Sequence, residues 1–324
     1  MSPVRVAALV LLAGVALLAP FQFYPDFLSH ILCLALFASA FNLLFGHAGI
    51  LSFGHAAFFG VGAYGGGLLS LSLGGSPLAA IAVGTIAGGL LGAGFGALAV
   101  RRAGAYLAMI TLALAEVVYF IALRAPFTGG ENGLQGVPRG SAGGLLDLED
   151  PLAMYYFALA VFLIGFFVLW RVKRSSFGLA LTAIKENEPR AISLGYRVTR
   201  CKVLAFALSG ALSGAAGALK ALVFHFASLT DVHWHSSGEV ILTTLVGGAG
   251  HLFGPVVGAA LVVTLDDQLA SIGEWVNFIL GAIFVLCVLC FREGILGWLE
   301  RRWQSLQRRG ASPTPGAARQ QETT

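Results

Sequence analysis

The sequence predicts an all-α integral membrane protein of about eight transmembrane helices, with re-entrant or broken segments among them. Three observations predict it. Charged residues make up 11% of the 324 and hydrophobic residues 57%, and the mean hydropathy is +0.83. A soluble domain carries about a quarter charged residues, so most of this surface faces lipid. Apolar runs of about 17–25 residues, the length that crosses a bilayer core, recur along the chain. The 43 glycines follow no Gly-X-Y period, and in apolar runs small residues let helix backbones approach.

The runs follow in order. The first is 6–23; with Arg5 before it and Pro20 near its end it has the outline of a signal peptide, and we take it as a retained span. The second is 27–45. A Gly- and His-containing stretch, 46–55, interrupts before a third at 56–73, then a fourth at 78–100 and a fifth at 103–123. A polar loop covers 124–150, a sixth span 152–170, a charged segment 171–200 and a seventh span 201–224. A His-containing loop leads into 236–265, and a last span runs 275–291. Three regions result: 1–26 with the first span, 27–291 as the transmembrane domain, and a polar tail 292–324 that is partly disordered.

Lysine and arginine set the orientation. Segment 171–202 holds eight of them and the tail six. These regions, Arg101–Arg102, the 46–55 break and both termini are therefore expected on the cytoplasmic side, and 124–150 and 225–235 outside. A single span through 236–265 would then carry the basic tail outside. The run Gly247-Gly248-Ala249-Gly250-His251-Leu252-Phe253-Gly254-Pro255 resolves the conflict, because it cannot remain regular helix. It predicts a half-helix over 236–246, a break, and a return helix over 255–270. Irregular backbone at membrane depth survives only where protein or water covers it.

Other residues each allow two readings. Glu116 lies inside the fifth span, where a charge is costly; it lines a pathway or makes a structural hydrogen bond, with Thr111 near its face. Lys220 is close enough to the outer end of its span to snorkel. Gly84, Gly88, Gly92 and Gly96 form a ladder on one helix face that packs on another helix, of this chain or of a partner. Cys287 and Cys290 form a CxxC within an apolar run, which reads as buried small residues rather than a redox or metal site. His225, His233 and His235 suit a wet external loop better than a metal site. No metal, cofactor or nucleic-acid partner is expected.

The segment Ser175–Gly195 is amphipathic: Leu181, Ile184, Ile192 and Leu194 alternate with Lys185, Glu186, Glu188 and Arg190. Pro189 can open a helical turn and Gly195 can end one. A short helix-turn-helix on the inner face suits a groove of a partner protein, or lies on the membrane as a linker.

Four stretches, in order, resemble the LivM-type permeases of hydrophobic (branched-chain) amino-acid ABC importers. They are the run from Asn42 to Tyr64, Thr128-Gly129-Gly130-Glu131-Asn132-Gly133-Leu134-Gln135-Gly136-Val137-Pro138, the 175–195 run, and Ser237-Gly238-Glu239 with Gly247–Gly250 and Gly254–Ala259. The resemblance covers about 40–290, and its 124–138 part separates the chain from the shorter LivH-type partner. It implies a bacterial inner-membrane complex with a LivH-type second permease, two cytoplasmic ATPase subunits and an external binding protein, working by alternating access, and an inverted repeat within the chain. The chain itself would not hydrolyse ATP, and no GxxxxGK[ST] loop occurs in it.

The residues expected to dock the ATPase are then Phe177, Gly178, Ala183, Ile184, Lys185, Glu186, Asn187, Glu188, Arg190 and Gly195. Those expected on the translocation path or at broken helices are Gly46, Gly49, Ser52, Gly54, His55, Glu116, Gly247, Gly248, Gly250, Gly254 and Pro255. Two other functions stay open: a urea importer of the same family, and a gradient-driven transporter, which would want coupling-ion carboxylates near the midplane. Only Glu116 qualifies.

Overall fold

A computed structural model describes residues 18–72, 74–142 and 146–269, and positions 278, 279, 281, 282, 285, 294–297 and 301. The body of the first span, most of 275–291 with Cys287 and Cys290, and the end of the tail lie outside the described residues.

Ten α-helices carry the fold of the described residues: α1 Pro25–Asn42, α2 His55–Ser72, α3 Pro77–Ala99, α4 Ala105–Arg124, α5 Pro151–Lys173, α6 Ser176–Glu186, α7 Glu188–Ser193, α8 Val198–Phe224, α9 Trp234–Gly247 and α10 Gly254–Leu269. A π-helical turn, Leu43–His47, prolongs α1. Proline opens α1, α3 and α5 in their first turns, where its missing N–H breaks no helical bond. Among the described residues, five helices are long and apolar enough to cross a membrane: Pro25–His47, α3, α4, α5 and α8. Of these, Pro25–His47 and α8 are mostly buried, while well under half of α3, α4 and α5 is buried. The apolar exposed surface, such as Leu90 on α3, Met109 on α4 and Phe167 on α5, is what lipid would cover.

Helix α8 is the axis, and glycine is the reason it can be. A Cβ on Gly84 or Gly88 of α3 would run into α8 at Gly214 and Gly210, one on Gly92 into the Phe206 carbonyl, and one on Gly96 against Phe206 and the Val203 backbone. The four-residue ladder therefore packs within this chain. On another side of α8, a Cβ on Gly62 of α2 would overlap the Gly214 carbonyl, and one on Gly217 the Phe59 carbonyl. Three backbones meet where side chains would hold them apart.

Between α4 and α5, the described residues of 124–150 form several short regular elements. Two 3₁₀ turns, Pro126–Thr128 and Gly130–Asn132, lead to strand β1 Leu134–Gln135; β2 Ser141–Ala142 and β3 Leu146–Asp147 pair as a small hairpin. After α8, strand β4 Phe226–Ala227 pairs antiparallel with β1, Leu134 opposite Ala227. Arg139, only 5% exposed, donates to the Leu222 carbonyl at 3.2 Å and the Val223 carbonyl at 2.6 Å. It thereby caps the open carbonyls at the end of α8, and it reaches Asp26 at 3.5 Å.

Lys220 corrects its sequence reading. It does not snorkel to water: its side chain is 14% exposed, and it donates to both Asp231 carboxylate oxygens at 2.9 Å. Asp231 in turn closes a capping box with Ser228. The loop folds back to meet the lysine.

Candidate functional site

Two interruptions of helix come together beside the α5–α6 corner. The first is 43–54. The π-helical turn ends at His47, and Gly49 then takes a left-handed φ of +68°, a conformation costly for a residue with a Cβ. The stretch is packed inside the chain rather than lying as a surface loop: Gly46, Ala48, Ile50, Ser52 and Gly54 are all buried. The second interruption follows Gly247, with Gly248 and Gly250 at φ +116° and +85°. It closes at Gly254, where α10 begins, with Pro255 next. A Cβ on Gly247 would overlap the Gly254 carbonyl, so the two half-helices turn back on each other without a gap.

Asn42 joins the two. Its Nδ2 donates to the His251 carbonyl at 2.9 Å, and its Oδ1 accepts from the Gly250 N–H at 2.9 Å. A Cβ on Gly46 would lie 2.6 Å from Gly250 N, so the breaks touch backbone to backbone. From the α5–α6 corner, Lys185 Nζ donates to the Gly46 carbonyl at 2.7 Å, and Lys173 Nζ to the Gly250 carbonyl at 3.3 Å. Cations suit such carbonyls, which gather at the ends of interrupted helices. A small cavity of about 10 Å³ adjoins this node, with Ser39, Asn42, His47 and Lys173 among its lining.

Further along the first break, side chains from other helices replace the missing helical bonds. Thr111 Oγ1 accepts from the Phe53 N–H at 3.1 Å. Ser237 Oγ accepts from Ala56 N–H at 2.9 Å and donates to the Phe53 carbonyl at 2.7 Å. Ser237 thus does for α2, from α9, what an N-cap residue does locally. His55, fully buried, sits 2.8 Å by Nε2 from Ser209 Oγ, which itself donates to the Ala40 carbonyl at 2.6 Å. With the serine proton committed to Ala40, Nε2 is the donor. His55 therefore ties α2 to α8 and α1, with its ring edge-on to Phe41 and Phe58.

Glu116 is on α4, and its Oε1 is shielded from solvent with no hydrogen-bond partner among the described residues. Thr111, its expected companion, bonds to Phe53 instead. Of the histidines in the loop after α8, His225 bonds through Nδ1 to the Val137 carbonyl at 3.0 Å and His233 stacks edge-on to Tyr119.

The 175–195 segment is a pair of short helices with a cap at each start. Ser175 accepts from Gly178 N–H, and Asn187 from Arg190 N–H at 3.0 Å; Pro189 sits in the first turn of α7. Glu188 holds Lys202 of α8 at 2.8 Å. The segment has two faces. Gly178, Ala180, Leu181, Ile184 and Ala191 are buried in the chain, so Gly178 and Ile184, expected to dock, instead seat the pair on the membrane domain. A Cβ on Gly178 would crowd the Val172 and Lys173 carbonyls at the corner. Phe177 and Ala183 are half-buried, and Glu186, Asn187, Arg190 and Gly195 are exposed; Lys185 is exposed as a residue, but its ammonium turns in to the Gly46 carbonyl. The outward face adds Leu179 (68% exposed), Ile192 (58%) and Leu194 (68%). Sequence reasoning does not select Leu179, although it alternates with Leu181; it also passes over Lys173 and the bonding roles of Asn42 and Ser237, whose partners are far away in the chain.

The family described as "Branched-chain amino acid transport system / permease component" matches residues 24–288. The chain is 31% identical over 283 residues to the high-affinity branched-chain amino acid transport system permease protein LivM of Salmonella typhimurium, covering 79% of this chain and 65% of that protein. With the LivM protein of Escherichia coli K12 it shares 28% over 278 residues, with the same coverage. The ribose import permease protein RbsC of Bacillus subtilis is 31% identical over 139 residues, 40% of this chain and 43% of that one. The chain thus spans just under two thirds of the length of the LivM relatives. No solved structure matches it. The family match takes in both breaks, the corner lysines and the α6–α7 pair, and the chain belongs to the branched-chain amino-acid transport-system permease family.

Proposed function

We propose that the chain is the membrane-spanning permease subunit of an ATP-driven importer in the bacterial inner membrane, passing branched-chain or related apolar amino acids delivered by an external binding protein. Its partners are a LivH-type permease and two ATPase subunits, which carry out the hydrolysis. The observation that carries this is the α6–α7 pair: capped, seated by one face, and presenting Leu179, Ile192 and Leu194 outward beside Glu186 and Arg190. Exposed apolar side chains on a rigid helical pair with charged neighbours fit a protein groove. The Lys and Arg excess supports a cytoplasmic position for that face and for both termini. The ordered outer surface around β1, β4 and Arg139 is where the binding protein would dock.

The translocation path runs past the two breaks. Glu116 and Glu239 flank it on α4 and α9. Glu239 is exposed on the chain's own surface, and a carboxylate there cannot face hydrocarbon without a cost of about 3 kcal/mol or more. That face of α9 is therefore covered by water or by the second permease.

Co-purification of the intact chain with its ATPase tests the docking face. Leu179→Asp with Leu194→Asp changes two exposed side chains and should leave the thermal midpoint of the chain within a few degrees, while recovery of ATPase falls at least about tenfold, since interface energy concentrates in few apolar anchors. Equal recovery from wild type and variant would move the docking site elsewhere.

A further inference from the structure

The two broken segments and the α6 docking helix are bonded into one unit, and the bonds come from a single corner of the fold. Helix α5 ends at Lys173 and α6 starts at Ser176. From the two sides of that corner, Lys173 reaches the Gly250 carbonyl at 3.3 Å and Lys185 the Gly46 carbonyl at 2.7 Å. The fit of Lys185 is built in: a Cβ on Gly49 would lie 2.8 Å from Lys185 Cγ, so the left-handed glycine leaves room for the lysine stem. Asn42 then bonds the second break at Gly250 and His251.

We infer that Lys185 is the positioning residue that transmits movement of α6 to the pathway: its ammonium pulls on the first break at Gly46, and Asn42 carries the displacement to the second break at Gly250–His251. The contacts suit this role. An ammonium–carbonyl bond is short and strong, yet it can slide between neighbouring carbonyls, unlike close-packed side chains. The node also has slack. Ser39 Oγ and His47 Nε2, both in residues lining the adjoining cavity, are buried without a partner among the described residues. Neither atom therefore has a protein hydrogen bond among the described residues to lose when the node shifts. Lys173 holds the second break from α5, so the two lysines fix both breaks to the same corner when it is at rest.

The transmission rests on the importer function proposed above, but the mechanical link does not, and the test separates them. In the first arm, amide hydrogen exchange is measured on the full chain in detergent. Lys185→Met is expected to speed exchange at 46–50 about tenfold and to speed it at 248–252 as well, the factor that corresponds to one lost charge-assisted hydrogen bond. In the Asn42→Ala background, Lys185→Met should act on 46–50 alone. Lys185→Arg should restore most of the protection, because a guanidinium can donate to the same carbonyl. Faster exchange confined to α6, or none, overturns the link.

In the second arm, the chain is reconstituted with its partners in proteoliposomes, and leucine uptake is read against ATP hydrolysed. Lys185→Met is expected to lose about tenfold in leucine moved per ATP hydrolysed, a ratio that does not depend on how much ATPase is bound, with Lys185→Arg intermediate. An unchanged ratio, or loss of the ATPase along with uptake, assigns Lys185 to plain structure or to docking and overturns the transmission. A wild type that hydrolyses no ATP and imports nothing with the partners present contradicts the importer function; the transmission falls with it, while the exchange arm still decides whether the two breaks are linked.

Discussion

Gly214→Val is expected to prevent the chain from folding into a stable helix bundle. Its new Cβ would overlap the Gly84 carbonyl and approach Gly88 Cα at 3.0 Å, and both obstacles are backbone. Rotamer changes cannot relieve a clash with backbone, so α3 and α8 must separate, and the contacts of Gly210 and Phe206 with the same ladder are lost too. Overpacking ordinarily costs about 1–3 kcal/mol, with more where nothing can yield. A drop of more than about ten degrees in the thermal midpoint in detergent, or no monodisperse protein, is expected. Gly94→Ala on α3 is the control: open space surrounds that position, and replacing a mid-helix glycine there should gain about 0.5–1 kcal/mol. If the two variants melt alike, the α3–α8 backbone contact is not what sets the bundle.

Lys220→Met should destabilise the chain more than the double variant Lys220→Met/Asp231→Asn. The single change leaves Asp231, itself 9% exposed, without its cation, and breaking one side of a buried pair costs about 3–5 kcal/mol. Removing both charges relieves that penalty. The amide oxygen that Asp231→Asn introduces can still accept from Ser228 N–H, as the carboxylate does at 2.9 Å. Thermal midpoints of wild type, both single variants and the double variant form the cycle. Additive losses would mean that the 2.9 Å contacts are not a coupled pair.

Much of this is legible along the chain, for local reasons. Spans follow from apolar length. The second break is readable because Gly247, Gly248 and Gly250 lie close together just before Pro255, and no helix tolerates that run. The α6–α7 pair is readable from its alternation of apolar and charged residues and from Pro189 and Gly195, which open and end a helical turn within a few residues. Where the partner is remote, the sequence is silent. Ser237 caps α2 through Ala56, 181 positions earlier, and Asn42 meets Gly250 across 208. The Gly84–Gly96 ladder announces a close neighbour but not which helix it is. Lys220 reads as a snorkelling residue because Asp231 lies in a loop whose return path is set by the β1–β4 pairing, two residues long on each side. Gly178 and Ile184 carry the same residue types as a docking face would, and only the packing of α6 on the chain shows them turned inward.

The central claim, ATP-driven import through this chain, is tested most directly by leucine uptake into proteoliposomes. These would hold the chain with its second permease and ATPases, with the binding protein outside, ATP enclosed, and Na⁺ and H⁺ gradients collapsed by ionophores. Uptake that needs enclosed ATP and the binding protein, and persists without ion gradients, is the predicted result. Uptake that proceeds without ATP and follows an imposed ion gradient would contradict it and make Glu116 the first residue to examine as a coupling carboxylate.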